Sequence, residues 1–295
     1  MVTDSTASFP AGVAERWGIE VVPLEVIVDG ARHHEGVDLT PAELLTALTA
    51  GKRVTTSQPA PAAFARAYAR AVERGAREIV SVHRSGELSG TVRAAELAAL
   101  AAPVPVHVVD SRSVALGLGL AAIAAAAQLA AVPPAGRWRS IHASARTPAR
   151  AEGAAAAERA RELAAATTTL FLVDSLEHLR RGGRMGAGAA AMGTVLGLRP
   201  LLGLRSGRIE VIEKVRTRRA ARERLELLAV KDAARRGAAQ VAVHHLGQHQ
   251  LARELADRIA TQLGDAVVEV LVSEISAVIA AHAGPGLLAV VVTDR

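Results

Sequence analysis

The sequence predicts an α/β fold made of two different domains, and three observations carry that expectation. At 295 residues the chain is longer than one ordinary small core needs and suits a pair of domains. Its first half alternates short β-branched runs with alanine-rich helical stretches, the pattern of a parallel sheet covered by helices. In its second half, neighbouring strand segments meet across Ser206-Gly207, a tight turn that makes the sheet there partly antiparallel.

In the first half, strands are expected at Val2–Thr3, Glu20–Val28, Glu78–Val82 and Val104–Val109. Helices are expected over Pro10–Trp17, Pro41–Thr49, Ala60–Arg74, Thr91–Ala101 and Ser113–Ala131. Thr40 precedes Pro41 as an N-cap before a proline suited to the first helical turn, and Gly75 closes the helix before it. From Val132 to about Gly153 the prolines Pro133, Pro134 and Pro148, with Gly136 and scattered arginine, end the periodicity. A linker or insertion is expected there, which gives an N-terminal unit of 1–150 and a C-terminal unit of 151–295. The second unit offers strands at Thr168–Val173, Leu201–Leu204, Arg208–Val215, Gln240–His245, Val267–Val272 and Leu287–Thr293. Helices at Leu176–Arg181, Arg218–Arg236 and Gln248–Gly264 separate several of them.

Composition closes several branches of chemistry. With no cysteine there is no disulfide framework, thiolate metal site or cysteine nucleophile. Met1-Val2-Thr3-Asp4 enters polar residues at once, unlike a signal peptide, so a cytoplasmic location is expected. The most apolar stretch, Val114 to Val132, is mostly alanine interrupted by Gly117, Gly119 and Gln128, which reads as a buried or amphipathic helix and not a membrane span. A net charge of +6 and a pI near 10.7 would suit an anionic partner. Aromatics at 2% are too scarce for base stacking, however, and no nucleic-acid motif is present. The arginine clusters therefore read as solvated surface with room for a protein-docking patch, and no nucleic-acid partner is expected.

Hydroxyl residues recur where a strand or loop feeds a helix: Asp4-Ser5-Thr6, Thr55-Thr56-Ser57, Ser89-Gly90-Thr91 and Asp110-Ser111. In a parallel sheet such junctions gather at the carboxyl edge, where helix N-termini present unpaired N–H groups and a partial positive charge. An anion there could be held by backbone N–H and hydroxyls without lysine or metal. The bland alternative is that each residue caps its own helix, and Asp4 and Asp110 stay with it. Ser89 is better placed for a ligand because Gly90 lets one approach the backbone. Thr56 and Ser57 present two hydroxyls on a turn constrained by Pro59. His282 sits in a glycine-bearing loop, His282 to Gly286, before the last strand; it is kept as a candidate against the plainer reading of a structural histidine. The adjacent pairs His33-His34 and His244-His245 point to opposite faces of a strand and cannot share a metal, so no metal is expected. Gly117-Leu118-Gly119 falls inside a helix and not at its start, and neither a P-loop nor a Gly-x-Ser-x-Gly elbow is present. No cofactor is expected. In Leu176 to Met185, Arg180 and Arg181 read as surface charge, while Arg184, after two glycines, looks more fixed and could meet an acidic partner or a phosphate.

Taken in order, these segments resemble the DegV family of bacterial fatty-acid-binding proteins. The matching stretches run from Val2-Thr3-Asp4-Ser5-Thr6 through Gly36-Val37-Asp38-Leu39-Thr40-Pro41, Thr55-Thr56-Ser57-Gln58-Pro59 and Leu88-Ser89-Gly90-Thr91. They continue through Asp110-Ser111, Leu176 to Arg184, Lys214 to Arg218 and His282 to Gly286. The resemblance implies an N-terminal three-layer α/β/α domain on a parallel sheet and a C-terminal two-layer α/β domain on a mixed sheet. It implies a non-catalytic carrier that buries a long-chain fatty acid such as palmitate. Thr56 or Ser57, together with Ser89 and its neighbour Gly90, match the family's carboxylate contacts, with His282 close by. It further implies a separate fatty-acid kinase as partner, with Arg180, Arg181, Arg184 and Arg216 as docking or phosphate candidates. Two departures stand out: Arg84 replaces what is commonly an apolar residue, and Ala281 and Ala283 flank His282 where threonine is frequent. The main alternative is an enzyme, a small phosphotransferase or hydrolase working through Ser89 and His282. A basic nucleic-acid-associated regulator is the third reading, and it predicts binding that weakens steeply with salt.

Overall fold

The computed structural model describes residues 1–130, 152–185 and 199–295. The linker expected from Val132 to about Gly153 falls almost wholly outside them. The described strands of the first half are β1 (Val2–Asp4), β2 (Glu20–Val22), β3 (Glu25–Val28), β4 (Ala31–His34), β5 (Val54–Thr56), β6 (Ile79–His83) and β7 (Val106–Asp110). Those of the second half are β8 (Thr168–Leu172), β9 (Arg199–Arg205), β10 (Arg208–Val215), β11 (Ala239–His245), β12 (Val267–Glu274) and β13 (Leu288–Asp294).

Strands β2-β1-β6-β7 form a four-stranded sheet in that order, parallel throughout. Every residue of β1 and β6 is buried, because helices cover both faces. Helices Pro61–Glu73 and Thr91–Ala99 close one side, where Phe64, Tyr68 and Ala95 meet Val2 and Ile79. Helices Leu116–Ala130 and Glu152–Ala166 close the other, bringing alanines such as Ala121, Ala125, Ala156 and Ala160 onto Val80, Val82 and Val109. The second of these helices went unread in the sequence. Its buried positions recur at 156, 157, 160, 163 and 164, a 3.6-residue stripe, but alanine supplies so little contrast that the stripe hides beside the loop signals before it.

A second departure lies at Pro23. Glu20–Val28 reads as one strand, yet the chain splits it, since a proline has no N–H for the ladder. Glu20–Val22 joins the parallel sheet, and Glu25–Val28 becomes the centre of a three-stranded antiparallel sheet, β4-β3-β5. Thr40 caps helix Pro41–Thr49 as expected, in a capping box with Glu43.

The larger sheet has six strands in the order β10-β9-β8-β13-β11-β12, antiparallel except for β11 with β12. Ser206 and Gly207 turn the chain between β9 and β10 with φ of 49° and 83°, the left-handed pair that a two-residue hairpin requires. Helices Arg218–Arg236 and His249–Leu263 cover one face with Leu225, Ala229, Leu255 and Ile259. The opposite face turns toward the first half: Ala242 and Val291 meet Leu116 and Leu120. Polar bonds tie the two sheets together there. His244 Nε2 accepts the N–H of Leu116 at 3.1 Å, and Ser273 Oγ donates to the carbonyl of Ser8 at 2.7 Å. Burial depresses the His244 pKa to about 4, so the ring is neutral and able to accept.

Candidate functional site

A cavity opens between the two halves. Counted with its mouth and the solvent there, it spans about 690 Å³ of atom-free space. Its walls are apolar side chains from both halves: Leu88 and Val114 from the first, and Phe171, Leu179, Leu204, Ile209, Ile279 and Leu287 from the second. Polarity is confined mainly to Arg84, Arg184, His282 and Thr169.

His282 reaches this space from a helix and not from the expected loop. Helix Ala277–Ala283 is capped by Ser276, whose hydroxyl accepts the N–H of Ile279 at 3.3 Å. The buried Glu35 strengthens that helix start. Its carboxylate accepts from Ser5 Oγ at 2.6 Å, from Ser276 Oγ at 3.0 Å and from the N–H of Ala277. Burial raises the Glu35 pKa against those bonds. At the other end of the helix, His282 Nε2 shares a 2.8 Å hydrogen bond with Thr56 Oγ1. Burial, with the charges of Arg184 and Arg84, lowers the His282 pKa to about 3, so the ring is neutral at physiological pH. The turn after helix Glu177–Arg181 approaches the ring so closely that a Cβ on Gly182 would lie 2.4 Å from His282 Nδ1.

The other sequence candidates distribute unevenly around this centre. Ser89 is buried and accepts from Arg84 Nη2 at 2.5 Å, and it also bonds Thr91 Oγ1 at 2.8 Å. Gly90 starts helix Thr91–Ala99, and a Cβ there would meet the Gln58 side chain at 2.5 Å. Ser57 turns toward Glu25, to which it donates at 2.7 Å. Among the four candidate arginines, Arg184 lines the cavity and its Nε donates to the carbonyl of Leu88 at 3.0 Å. Arg180 and Arg216 are exposed, and Arg181 pairs with Glu177 at 2.9 Å. Arg84, noticed in the sequence only as a departure, is buried at 5% exposure and belongs to the cavity wall. A basic residue directly after the apolar strand β6 was the available signal.

The enzyme alternative needs Ser89 and His282 as nucleophile and base. The geometry does not pair them: Ser89 Oγ faces a guanidinium and a hydroxyl, while His282 faces Thr56. A different Asp–His–Ser chain does exist. Asp4 Oδ2 meets His83 Nδ1 at 3.0 Å, and His83 Nε2 meets Ser81 Oγ at 2.7 Å. All three are fully buried, and Ser81 is bonded by the Tyr68 hydroxyl at 2.9 Å, so this chain ties the parallel sheet together and offers no reacting atom.

Fold and cavity together define a two-domain α/β protein with an apolar cavity between its halves and a few polar side chains in that cavity's wall. Residues 1–131 and 147–295 match the sequence profile described as "Uncharacterised protein, DegV family". The chain belongs to the DegV family. It is 45% identical over 295 residues to a DegV domain-containing protein of Streptomyces coelicolor, covering 100% of this chain and 98% of that one. It is 35% identical over 293 residues to a DegV domain-containing protein of Mycobacterium tuberculosis, covering 99% of this chain and 96% of the relative. Among solved structures, a Thermus thermophilus DegV family protein described by its fatty acid binding is 35% identical with a TM-score of 0.85, covering 100% of this chain and 98% of that one. DegV of Bacillus subtilis, described as a fatty acid binding protein, is 26% identical with a TM-score of 0.85 and the same coverage of 100% and 98%. No described helix is long and apolar enough to cross a membrane.

Proposed function

We propose that this protein is a non-catalytic carrier of a long-chain fatty acid such as palmitate, with the acyl chain in the apolar cavity and the carboxylate at its polar end. The observation that carries the reading is the cavity itself, whose apolar walls end beside the hydrogen-bonded pair of His282 and Thr56. Its walls suit an alkyl chain. About 15 methylenes at roughly 0.8 kcal/mol each offer on the order of 12 kcal/mol gross, before ordering costs, so the tail dominates affinity. The head contacts then fix orientation and keep the carboxylate from being stranded without partners. Thr56 and Ser89 offer hydroxyls, Gly90 lies at a helix start, and the neutral His282 ring can donate or accept according to its tautomer. Ser57 would join them only by leaving Glu25.

A separate fatty-acid kinase is the partner we assign, with the carrier presenting the acid for acyl-phosphate formation. Arg180 and Arg181 support this, being exposed on the same short helix whose Leu179 forms cavity wall. Arg216 adds exposed charge after β10, and Arg184 reaches the cavity itself. No ATP-binding motif is expected of the carrier.

The test is palmitate titration of the protein and of a Thr56→Ala, Ser89→Ala double variant. The carrier reading expects a saturable 1:1 complex that the double variant weakens by at least about tenfold with circular dichroism unchanged. Equal affinity in a folded double variant would reject the head-group site, and no uptake by the parent protein would reject the carrier.

A further inference from the structure

Arg84 is a buried cation without a carboxylate partner. Its Nε donates to Thr91 Oγ1 at 3.1 Å and its Nη2 to Ser89 Oγ at 2.5 Å, both neutral hydroxyls. Among the described residues no carboxylate oxygen lies within 4.0 Å of its side chain. The undescribed segments, 131–151 and 186–198, contain no aspartate or glutamate, so the chain holds no acidic residue that could fill the role from there. The nearby carboxylates are committed elsewhere. Asp4 accepts from His83, Thr6 and the backbone N–H of Arg84, while Glu35 accepts from Ser5, Ser276 and Ala277.

The surroundings make the missing partner conspicuous. Arg84 shares the cavity with Arg184, a like charge that also has no carboxylate within 4.0 Å among the described residues, and with a neutral histidine. Leu88, Val114 and Ile209 complete the wall near these groups. A charge kept from water and left unpaired is costly, and two like charges in one apolar space are costlier. Burial works most strongly against the Arg84 cation; the Asp4 charge, and more weakly that of Glu35, offset part of this, while the Arg184 charge adds to it. Thr91 and Ser89 account for Nε and one Nη2 hydrogen, and no described protein acceptor meets Nη1.

Resting on the fatty-acid reading and deepening it, we propose that Arg84 is a head-group residue, a cation in the cavity wall that pairs with the ionised carboxylate and makes the site select acids over neutral lipids of the same tail. Ser89 and Thr91 then act as positioning residues that hold the guanidinium fork. The ligand supplies a carboxylate at the guanidinium itself, where the protein places only hydroxyls, so the occupied cavity is electrically closer to balance than the empty one. The selection is by charge: an alcohol with the same alkyl chain fills the same walls but leaves both guanidiniums unpaired.

The experiment compares palmitate with 1-hexadecanol on the parent protein and on Arg84→Leu, Arg84→Met and Arg84→Lys. The expected result is an acid preference in the parent that falls by about 10- to 100-fold in Arg84→Leu and Arg84→Met, through lost palmitate affinity with hexadecanol affinity held or improved. Arg84→Lys should keep part of the preference, a recovery that a purely structural role would not give. Thermal unfolding without ligand supplies the second readout: removing an unpaired charge should leave the Leu and Met variants at least as heat-stable as the parent, with a smaller upward shift on adding palmitate. An unchanged acid-to-alcohol ratio in either neutral variant overturns the assignment of Arg84 while leaving the carrier reading intact. Uptake of neither probe by the parent protein overturns the carrier reading and this inference with it.

Discussion

Replacing Thr56 by valine tests the joint on which the candidate site is built. Thr56 on β5 and His282 at the end of a helix far along the chain share one hydrogen bond of 2.8 Å. Valine keeps the shape of threonine and removes the hydroxyl. The histidine cannot compensate by taking up a proton, because its pKa is held near 3, so its Nε2 is left without its partner. Losing a part-buried hydrogen bond with one partner left behind costs about 1–3 kcal/mol, so the unfolding free energy of the ligand-free protein should fall by that amount, read as a lower urea midpoint with the slope unchanged. The bond should also show as a coupling: in a His282→Phe background the same Thr56→Val change should cost almost nothing, giving an interaction energy of about 1–3 kcal/mol in the double-mutant cycle. Serine at position 56 should recover most of the loss. Additive effects of the two substitutions would show that Thr56 and His282 do not touch in solution, and the polar end of the cavity would have to be redrawn.

Acid should weaken the fold through two histidines. His282 and His244 have folded pKa values lowered to about 3 and about 4 from 6.5, so the unfolded chain takes up their protons first. Stability is fully present above pH 6.5 and falls as pH drops through the window toward 4, by roughly 1.4 kcal/mol per pH unit for each group. Urea midpoints at pH 7 and 5 should show that fall, and His282→Gln should remove about half of the histidine contribution. Gly182→Ala should cost about 1–3 kcal/mol in thermal unfolding and weaken palmitate binding, since the new Cβ would press on the His282 ring. No change in either quantity would mean that the turn relaxes freely. Glu35→Ala should loosen helix Ala277–Ala283 by stripping the acceptor from Ser276 and the Ala277 N–H, a loss of about 1–3 kcal/mol readable as faster amide exchange at Ala277 and Val278.

The parts of this structure legible in the sequence were those fixed by local chemistry. The Thr40–Glu43 capping box, the Ser206-Gly207 hairpin and the β-branched strands of the parallel sheet each announce themselves within a few residues. What stayed hidden depends on partners distant in the chain. Ala277–Ala283 is only seven residues long and runs into Gly284-Pro285-Gly286, so its loop signals outweigh its helical ones until Glu35, just after β4, accepts from its Ser276 cap and the Ala277 N–H. Glu152–Ala166 becomes recognisable as a core helix only when the alanines of Leu116–Ala130 lie against it. The same holds for the site. Hydroxyls and glycines near helix starts pointed to Thr56 and Ser89, but nothing local told Ser57 to face Glu25 or brought Thr56 to His282. Burial of an arginine is the hardest of all to read, because single-sequence rules place such residues at the surface. Arg84 became informative only beside the cavity.

The measurement closest to the central claim is native mass spectrometry of the freshly purified protein, followed by denaturing extraction of whatever it carries. The account predicts a stoichiometric adduct that extraction identifies as a long-chain fatty acid. A clean ligand-free mass, in protein that also takes up no palmitate when it is added, would contradict it.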